Sequence, residues 1–246
     1  MLQELGFGVT RVGDELHGSA SIVPEMFVPG TAHLRTSILA TWADMLTGIL
    51  AVDAFAPRVP VTLELDVHLF RPAPGKGTIR GVGRVVKSGR SVFVAAAEFA
   101  VDDGEPVAFG AASFMTAPGM TMTIVGSTSV DRIAPPGPRL TLPFADRAGC
   151  ERRAPGQAVF PRSEEALNAS NTVNGGLIAL GVEEAALSLS PGATLSSLAL
   201  RYLQPVRFGP VVAEAEVQDG LGRIEVRDAG NESRLCVVAS SRTFGE

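Results

Sequence analysis

Cysteine is scarce: Cys150 and Cys236 are the only two in 246 residues. They form no Cys-x-x-Cys spacing and no cluster with histidine, which excludes a disulfide scaffold and gives no zinc-site pattern. Basic residues are in deficit, 21 Lys+Arg against 26 Asp+Glu, and a pI near 5.3 argues against a basic surface for nucleic acid. An uninterrupted apolar run of the length that crosses a bilayer, about 20 residues, is also missing. The longest candidate, residues 36–52, is broken by Asp44. The opening MLQELGFGVTRVGDELHG has no basic start followed by an apolar stretch, so no signal peptide is expected. Apolar residues, by contrast, are plentiful: 46% of the chain is hydrophobic and 19% charged. That balance excludes disorder. The expectation is a soluble, cytoplasmic protein of one large or two medium domains, with neither nucleic acid nor membrane as partner and no metal.

Glycine (27) and proline (17) are abundant, which favours short strands joined by turns over long helices. Two segments nevertheless read as helices. The first, about His33 to Phe55, carries Asp44 as its one charge between Arg35 and Asp53 and is apolar nearly all round. The second, about Val173 to Leu189, has only Glu183 and Glu184 as charges and stops at Pro191-Gly192. Helices without a polar stripe are buried on most sides. After the first comes VTLELDVHLF, where Val61, Leu63, Leu65, Val67 and Leu69 alternate onto one face. Strands are then expected at 78–86, 91–101 and 106–115, and after the second helix at 194–203, 211–217, 223–227 and 234–244. Their connections are too short for parallel crossovers, so both sets are antiparallel meanders.

The two sets are one unit used twice. LFRP (69–72) matches YLQP (202–205), Gly89-Arg90 matches Gly222-Arg223, ASF (112–114) matches RTF (242–244), and Asp44 matches Glu183, at offsets of 133, 133, 130 and 139 residues. The chain therefore divides into residues 1–116, a Pro/Gly-rich linker over 117–139, and residues 140–246. A single copy leaves a sheet edge bare, so two copies are expected to pair into one continuous sheet. Apolar strand faces left uncovered make a homo-oligomer of such pairs a further expectation.

TSILATWADMLTGILA (36–51), VHLFRPAPGKG (67–77) and VVKSGRSVFVAAAEF (85–99) together resemble the hotdog-fold thioesterases, especially their phenylacetate-pathway branch. The resemblance implies an α+β fold of two tandem hotdogs, each an antiparallel sheet wrapped around a long central helix. It also implies hydrolysis of acyl-CoA thioesters, with coenzyme A as part of the substrate and no separate cofactor. The family pattern has an Asn, then His-Gly-Gly six residues on, and an acid fifteen residues after the Asn. In the second copy Asn168 precedes Asn174-Gly175-Gly176 by six and Glu183 by fifteen, with Asn174 in place of the His. In the first copy Pro29 and Arg35-Thr36-Ser37 occupy those positions. Since family sites combine the Asn and glycine amides of one unit with the acid of the other, the resemblance implies one complete site, from Asn168, Gly175, Gly176 and Asp44. It implies a second, degenerate site at Glu183, with its polar donors largely missing.

The residue types suit that chemistry. Backbone N–H groups at a helix start lack intrahelical partners and sit at the positive end of the dipole, where they would stabilise an oxyanion. Glycine there lets substrate approach. An Asp in an apolar helix is desolvated and becomes a stronger base, or it attacks directly to form an anhydride. Asn174 and Thr47 are candidate substrate contacts. Lys87, Arg90 and Ser91, on the hairpin around Gly89 with Arg223 as its counterpart, are candidates for coenzyme A phosphates. Glu184 is expected to face solvent, and His68 reads equally as a pairing-surface or a site residue. A non-catalytic acyl-thioester binder and an acyl-thioester hydratase are the alternatives, the second disfavoured because no Asp-x-x-x-x-His segment stands out.

Overall fold

The computed structural model describes residues 1–116, 132–133, 140–168 and 170–245. The first half runs β1 (Gly8–Val12), β2 (Glu15–Ser21), α1 (Thr36–Phe55), β3 (Pro60–Leu69), β4 (Thr78–Ser88), β5 (Phe93–Val101) and β6 (Pro106–Thr116). A short strand, β7 (Arg132–Ile133), pairs back onto β1. The second half runs α2 (Phe144–Arg147), β8 (Glu151–Ala154), β9 (Gln157–Phe160), α3 (Gly175–Ser188), β10 (Leu195–Tyr202), β11 (Val211–Gln218), β12 (Leu221–Asp228) and β13 (Arg234–Thr243). Apart from β7, the expected linker lies outside the described residues. The short strands that open each half, β1–β2 and β8–β9, were not anticipated from periodicity; at four to seven residues they offer too few alternations to register.

The thirteen strands among the described residues form one antiparallel sheet in the order β7-β1-β2-β4-β5-β6-β3-β10-β13-β12-β11-β9-β8. Leaving β7 aside, each half contributes six strands in mirror order, and the halves meet where β3 pairs β10. Asp66 lies opposite Ala199 at the centre of that seam, with Leu65 opposite Leu200 and Val67 opposite Leu198. The chain is thus a tandem pair of hotdog units related by a pseudo-two-fold axis through the seam. On the outer face the seam is closed by ion pairs from Arg201 to Glu64 and Asp66. On the inner face Leu65, Val67, Leu198 and Leu200 are buried beneath the helices.

α1 and α3 pack against the sheet and touch each other. Length and composition alone would let α1 cross a membrane, contrary to the sequence expectation; 61% of its most apolar window is buried inside the protein. The alternation expected along β3 also breaks. A bulge between Thr62 and Glu64 inserts one residue, and a bulge re-aims the side chains on one side of it. Thr62 therefore joins Leu65, Val67 and Leu69 on the helix side. A matching bulge separates Leu195 from Ser197 in β10.

Because Leu200 is fully buried at the seam, Leu200→Ala leaves a cavity where the halves join. Loss of about 3 kcal/mol, read by denaturant unfolding as a single transition for both halves, is the expected result.

Candidate active site

Asp44 and Glu183 are each the ninth residue of their helix, counted from Thr36 and Gly175, yet their surroundings differ completely. The half-buried Asp44 carboxylate accepts one hydrogen bond, at 3.2 Å from the Thr62 hydroxyl, which the β3 bulge turns toward it. Burial pushes its pKa up to about 6, with the Thr62 bond opposing. Across from it starts α3. A Cβ placed on Gly175 would lie 3.6 Å from Asp44 Oδ2 and 2.9 Å from the Tyr202 hydroxyl. A Cβ on Gly176 would lie 2.4 Å from Thr41 Oγ1. Glycine is needed at both positions because a side chain would strike Tyr202 of β10 at the first and Thr41 of α1 at the second.

Tyr202, which sequence reasoning missed, donates from its hydroxyl to the Gly175 carbonyl at 3.2 Å, fixing the start of α3 beside Asp44. Burial and then the nearby Asp44 charge hold the phenol pKa well above its ordinary value, so it stays protonated. The Gly175 N–H makes no hydrogen bond among the described residues. The Gly176 N–H is not available: it donates to Asn174 Oδ1 at 2.8 Å, an N-cap. Two expectations change accordingly. Asn174 caps the helix with its Oδ1 and lines neither cavity lobe described below, and one donor, Gly175, is left at the helix start instead of two. Asn168 stands near the cavity mouth. Its Oδ1 is engaged by the Ser170 and Thr172 N–H groups and the Thr172 hydroxyl, an Asx turn, which leaves its amide N–H₂ as the remaining donor.

Two cavity lobes meet at Pro60 and Thr62. One, about 370 Å³, is lined by Asp44, Met45, Gly48, Ile49, Val52 and Phe114 besides the shared pair, and apart from Asp44 and Thr62 its walls are apolar. The other, about 410 Å³, lies on the α3 side, where Asn168, Ser170, Thr172, Gln204 and Arg207 mix with apolar groups such as Ile178. Its outer wall, residues 203–207, is tied down at its end by the buried Asp228, which accepts from the N–H groups of Arg207, Phe208 and Gly209.

Thr47 lines neither lobe. It is buried and donates to Ala43 O at 2.7 Å, one turn back along its own helix. Lys87, Arg90 and Ser91 are exposed at the β4–β5 turn, and Arg223 is exposed in β12. The strand register places Ser88, Phe93, Phe114 and Thr62 in one row, so that turn projects from the same end of the sheet as the apolar lobe without lining it. No histidine lines either lobe: His68 stacks on Phe109 on the outer face, His33 bonds Thr194 and His17 bonds Glu15. Among the described residues no group of three metal-ligating side chains occurs.

At the pseudo-equivalent position the donors are present rather than missing, and the protein itself occupies them. Glu183 Oε1 accepts from the Thr36 N–H at 2.8 Å and the Ser37 N–H at 3.3 Å. Its Oε2 accepts from the Ser37 hydroxyl at 2.6 Å and from Arg35 at 3.2 Å. Arg35 also bonds Glu184, which in turn bonds Arg152 at 2.6 Å. Glu184 is 4% exposed, so it is an internal ion-pair partner, not a solvent-facing charge. Burial acts to lower the Arg35 pKa, but the charges of Glu183 and Glu184 outweigh it and leave it raised. A carboxylate one methylene longer than Asp44 thus fills the helix start of the opposite unit.

Residues 33–108 match the thioesterase superfamily model; the match is to the superfamily as a whole, a level above the phenylacetate branch. The full chain shares its double-hotdog fold with solved structures. An acyl-ACP thioesterase from Bacteroides thetaiotaomicron is 14% identical with a TM-score of 0.67, covering 94% of this chain and 98% of that one. The 12:0-ACP thioesterase from Umbellularia californica is 12% identical with a TM-score of 0.65, covering 96% and 99%. The tesB protein of Mycobacterium avium subspecies paratuberculosis is 14% identical with a TM-score of 0.62, covering 96% and 95%. No curated protein matches the sequence.

Two outcomes follow from the unequal acids. Since the folded-state pKa of Asp44 lies above its ordinary 3.8, the folded protein holds the proton more tightly, and wild type loses stability relative to Asp44→Asn as pH rises from about 4 to 6. Asp44→Asn should be more stable than wild type by about 2 kcal/mol at pH 7 and equal to it at pH 4, as read by urea titrations at both pH values. Glu183→Gln should lose about 3 kcal/mol by stranding Arg35. If Glu183 served a working second site, its loss would register in turnover rather than in Tm.

Proposed function

We propose that the protein hydrolyses acyl-CoA thioesters at the single site formed by Asp44 of α1 and the start of α3. The observation that carries this reading is the Asp44 carboxylate, with a pKa pushed up to about 6, set against the unpaired Gly175 N–H at the waist between an apolar and a polar lobe. The acyl chain takes the apolar lobe, and the amide-rich thiol arm takes the lobe lined by Asn168, Ser170, Thr172 and Gln204. Arg207 on that wall is the cation placed for a phosphate. This arrangement leaves the exposed Lys87, Arg90 and Ser91 turn outside the cavity.

In the general-base route Asp44 takes a proton from water and the resulting hydroxide adds to the thioester carbon. The carbonyl oxygen becomes negative facing the Gly175 N–H, with the Asn168 amide as second donor. One such donor is worth about 3 kcal/mol at the transition state. Collapse breaks the C–S bond, and the thiolate takes the proton back from Asp44. In the nucleophilic route Asp44 itself adds, the thiolate leaves, and water opens the anhydride. Neither route calls on a cofactor. Nothing in either lobe offers the imidazole of a hydratase, and the acid at the waist favours a hydrolase over a passive binder.

Free-thiol release from a panel of acyl-CoAs tests the proposal. Wild type should turn over with a rate that rises through about pH 6 and levels above it, because Asp44 must be ionised. Asp44→Ala should lose at least about a hundredfold. Absence of thiol release at every pH and chain length would refute hydrolysis. Single turnover in ¹⁸O water separates the routes: label entering Asp44 marks the anhydride.

A further inference from the structure

Glycine in the middle of a helix costs stability, so each one needs a reason. In α3 the reason is contact: a Cβ on Gly175, Gly176 or Gly181 would meet Tyr202, Thr41 or Phe160 at under 3.0 Å. Gly48, the thirteenth residue of α1, is different. Among the described residues, a Cβ there would meet nothing within 4 Å. It sits one turn beyond Asp44 on the same helical face, and with Met45, Ile49 and Val52 it forms the helix wall of the apolar lobe. The thirteenth residue of α3 is Leu187, which is buried. At matched positions, therefore, the helix whose acid faces an open cavity carries glycine, and the helix whose acid is locked in an ion-pair network carries leucine.

We infer that Gly48 sets acyl-chain selectivity: its missing side chain keeps open a groove along α1, from Asp44 past Gly48 to Val52, sized for a straight medium-length acyl chain. This rests on the hydrolase reading for the position of the thioester, but the groove itself is a binding feature. Asp44 to Val52 spans eight residues of helix, about 12 Å. Carbon–carbon bonds of about 1.5 Å, advancing about 1.25 Å each in zigzag, fit roughly eight to ten carbons into that length. Met45, Ile49, Val52 and Phe114 contact the chain over its length, and none supplies a polar group for a hydroxylated or charged tail. A leucine at position 48 would reproduce in the open unit what Leu187 does in the closed one, blocking the groove about one helical turn from the carboxylate.

The test compares wild type, Gly48→Ala and Gly48→Leu on saturated acyl-CoAs from C4 to C16. It uses kcat/KM for thiol release and, in an Asp44→Asn background, Kd by calorimetry. Wild type should peak near C8–C10. Gly48→Leu should raise the C4 to C10 ratio of kcat/KM at least tenfold and weaken C10 binding by a similar factor, with Gly48→Ala between the two. Gly48→Ala should also raise Tm, since alanine is the better helix former and meets no neighbour, which shows that folding is not the cause of the change. Equal losses at every chain length in both assays would overturn the groove assignment while leaving hydrolysis standing. A length-dependent cut in binding, with no thiol released by wild type, would keep the groove and overturn the hydrolase reading.

Discussion

The molecule turns on the contact between Gly176 and Thr41, where two helices from different halves of the chain approach until a single Cβ would collide with the opposing side chain. That closeness brings the start of α3 to the Asp44 carboxylate. It also brings the start of α1 to Glu183, because the pseudo-two-fold axis applies the same crossing to both helices. The seam between β3 and β10 sets the same axis in the sheet, and the Leu65 and Leu200 pair beneath it makes the two halves one core. Separately, neither half holds an acid and a helix start that face each other.

From one geometry come two outcomes, decided by a few side chains. Glutamate at position 183 is long enough to reach the amides of Thr36 and Ser37, and Arg35 and Ser37 complete its hydrogen bonding. Its charge is satisfied, and the site is filled from within. Aspartate at position 44 is shorter and, among the described residues, has Thr62 as its one hydrogen-bond donor. The position matching Thr62 across the axis is Leu195, which precedes the equivalent bulge and has no hydroxyl to offer. Asp44 is therefore left under-solvated and basic, and that cost in stability is what a general base or nucleophile requires. The cavity follows the same division, with Gly48 open in one helix and Leu187 packed in the other.

Much of the fold was legible in the sequence. Two helices apolar all round, each followed by alternating strands and tight turns, signalled buried helices against antiparallel meanders, and the landmarks near offset 133 signalled duplication. Asp44 could be singled out because an acid in an apolar helix is anomalous against its surroundings, whereas the Gly175-Gly176 pair stood out only through the resemblance of Asn168 and Asn174-Gly175-Gly176 to the thioesterase pattern. Thr62 and Tyr202 carried no such signal. Thr62 reads as an ordinary polar position until a one-residue bulge turns it inward, and bulges depend on cross-strand pairing rather than on local composition. Glu184 read as exposed because its partners, Arg35 and Arg152, are distant in sequence. The capping role of Asn174 was not anticipated, because the resemblance placed it only as the residue in place of the family's His.

The sequence by itself determined the periodicities, the duplication and the placement of one acid in each central helix, since these are local patterns that burial imposes on whatever chain folds this way. Only the tertiary structure decided which acid is free, which helix amide remains unpaired and where the cavity opens. Those depend on groups brought together by the fold: Glu183 reaches Thr36 across 147 residues, and Thr62 reaches Asp44 only through the β3 bulge. A methylene at position 183, a hydroxyl at position 62 and a missing side chain at position 48 change the outcome without changing the pattern.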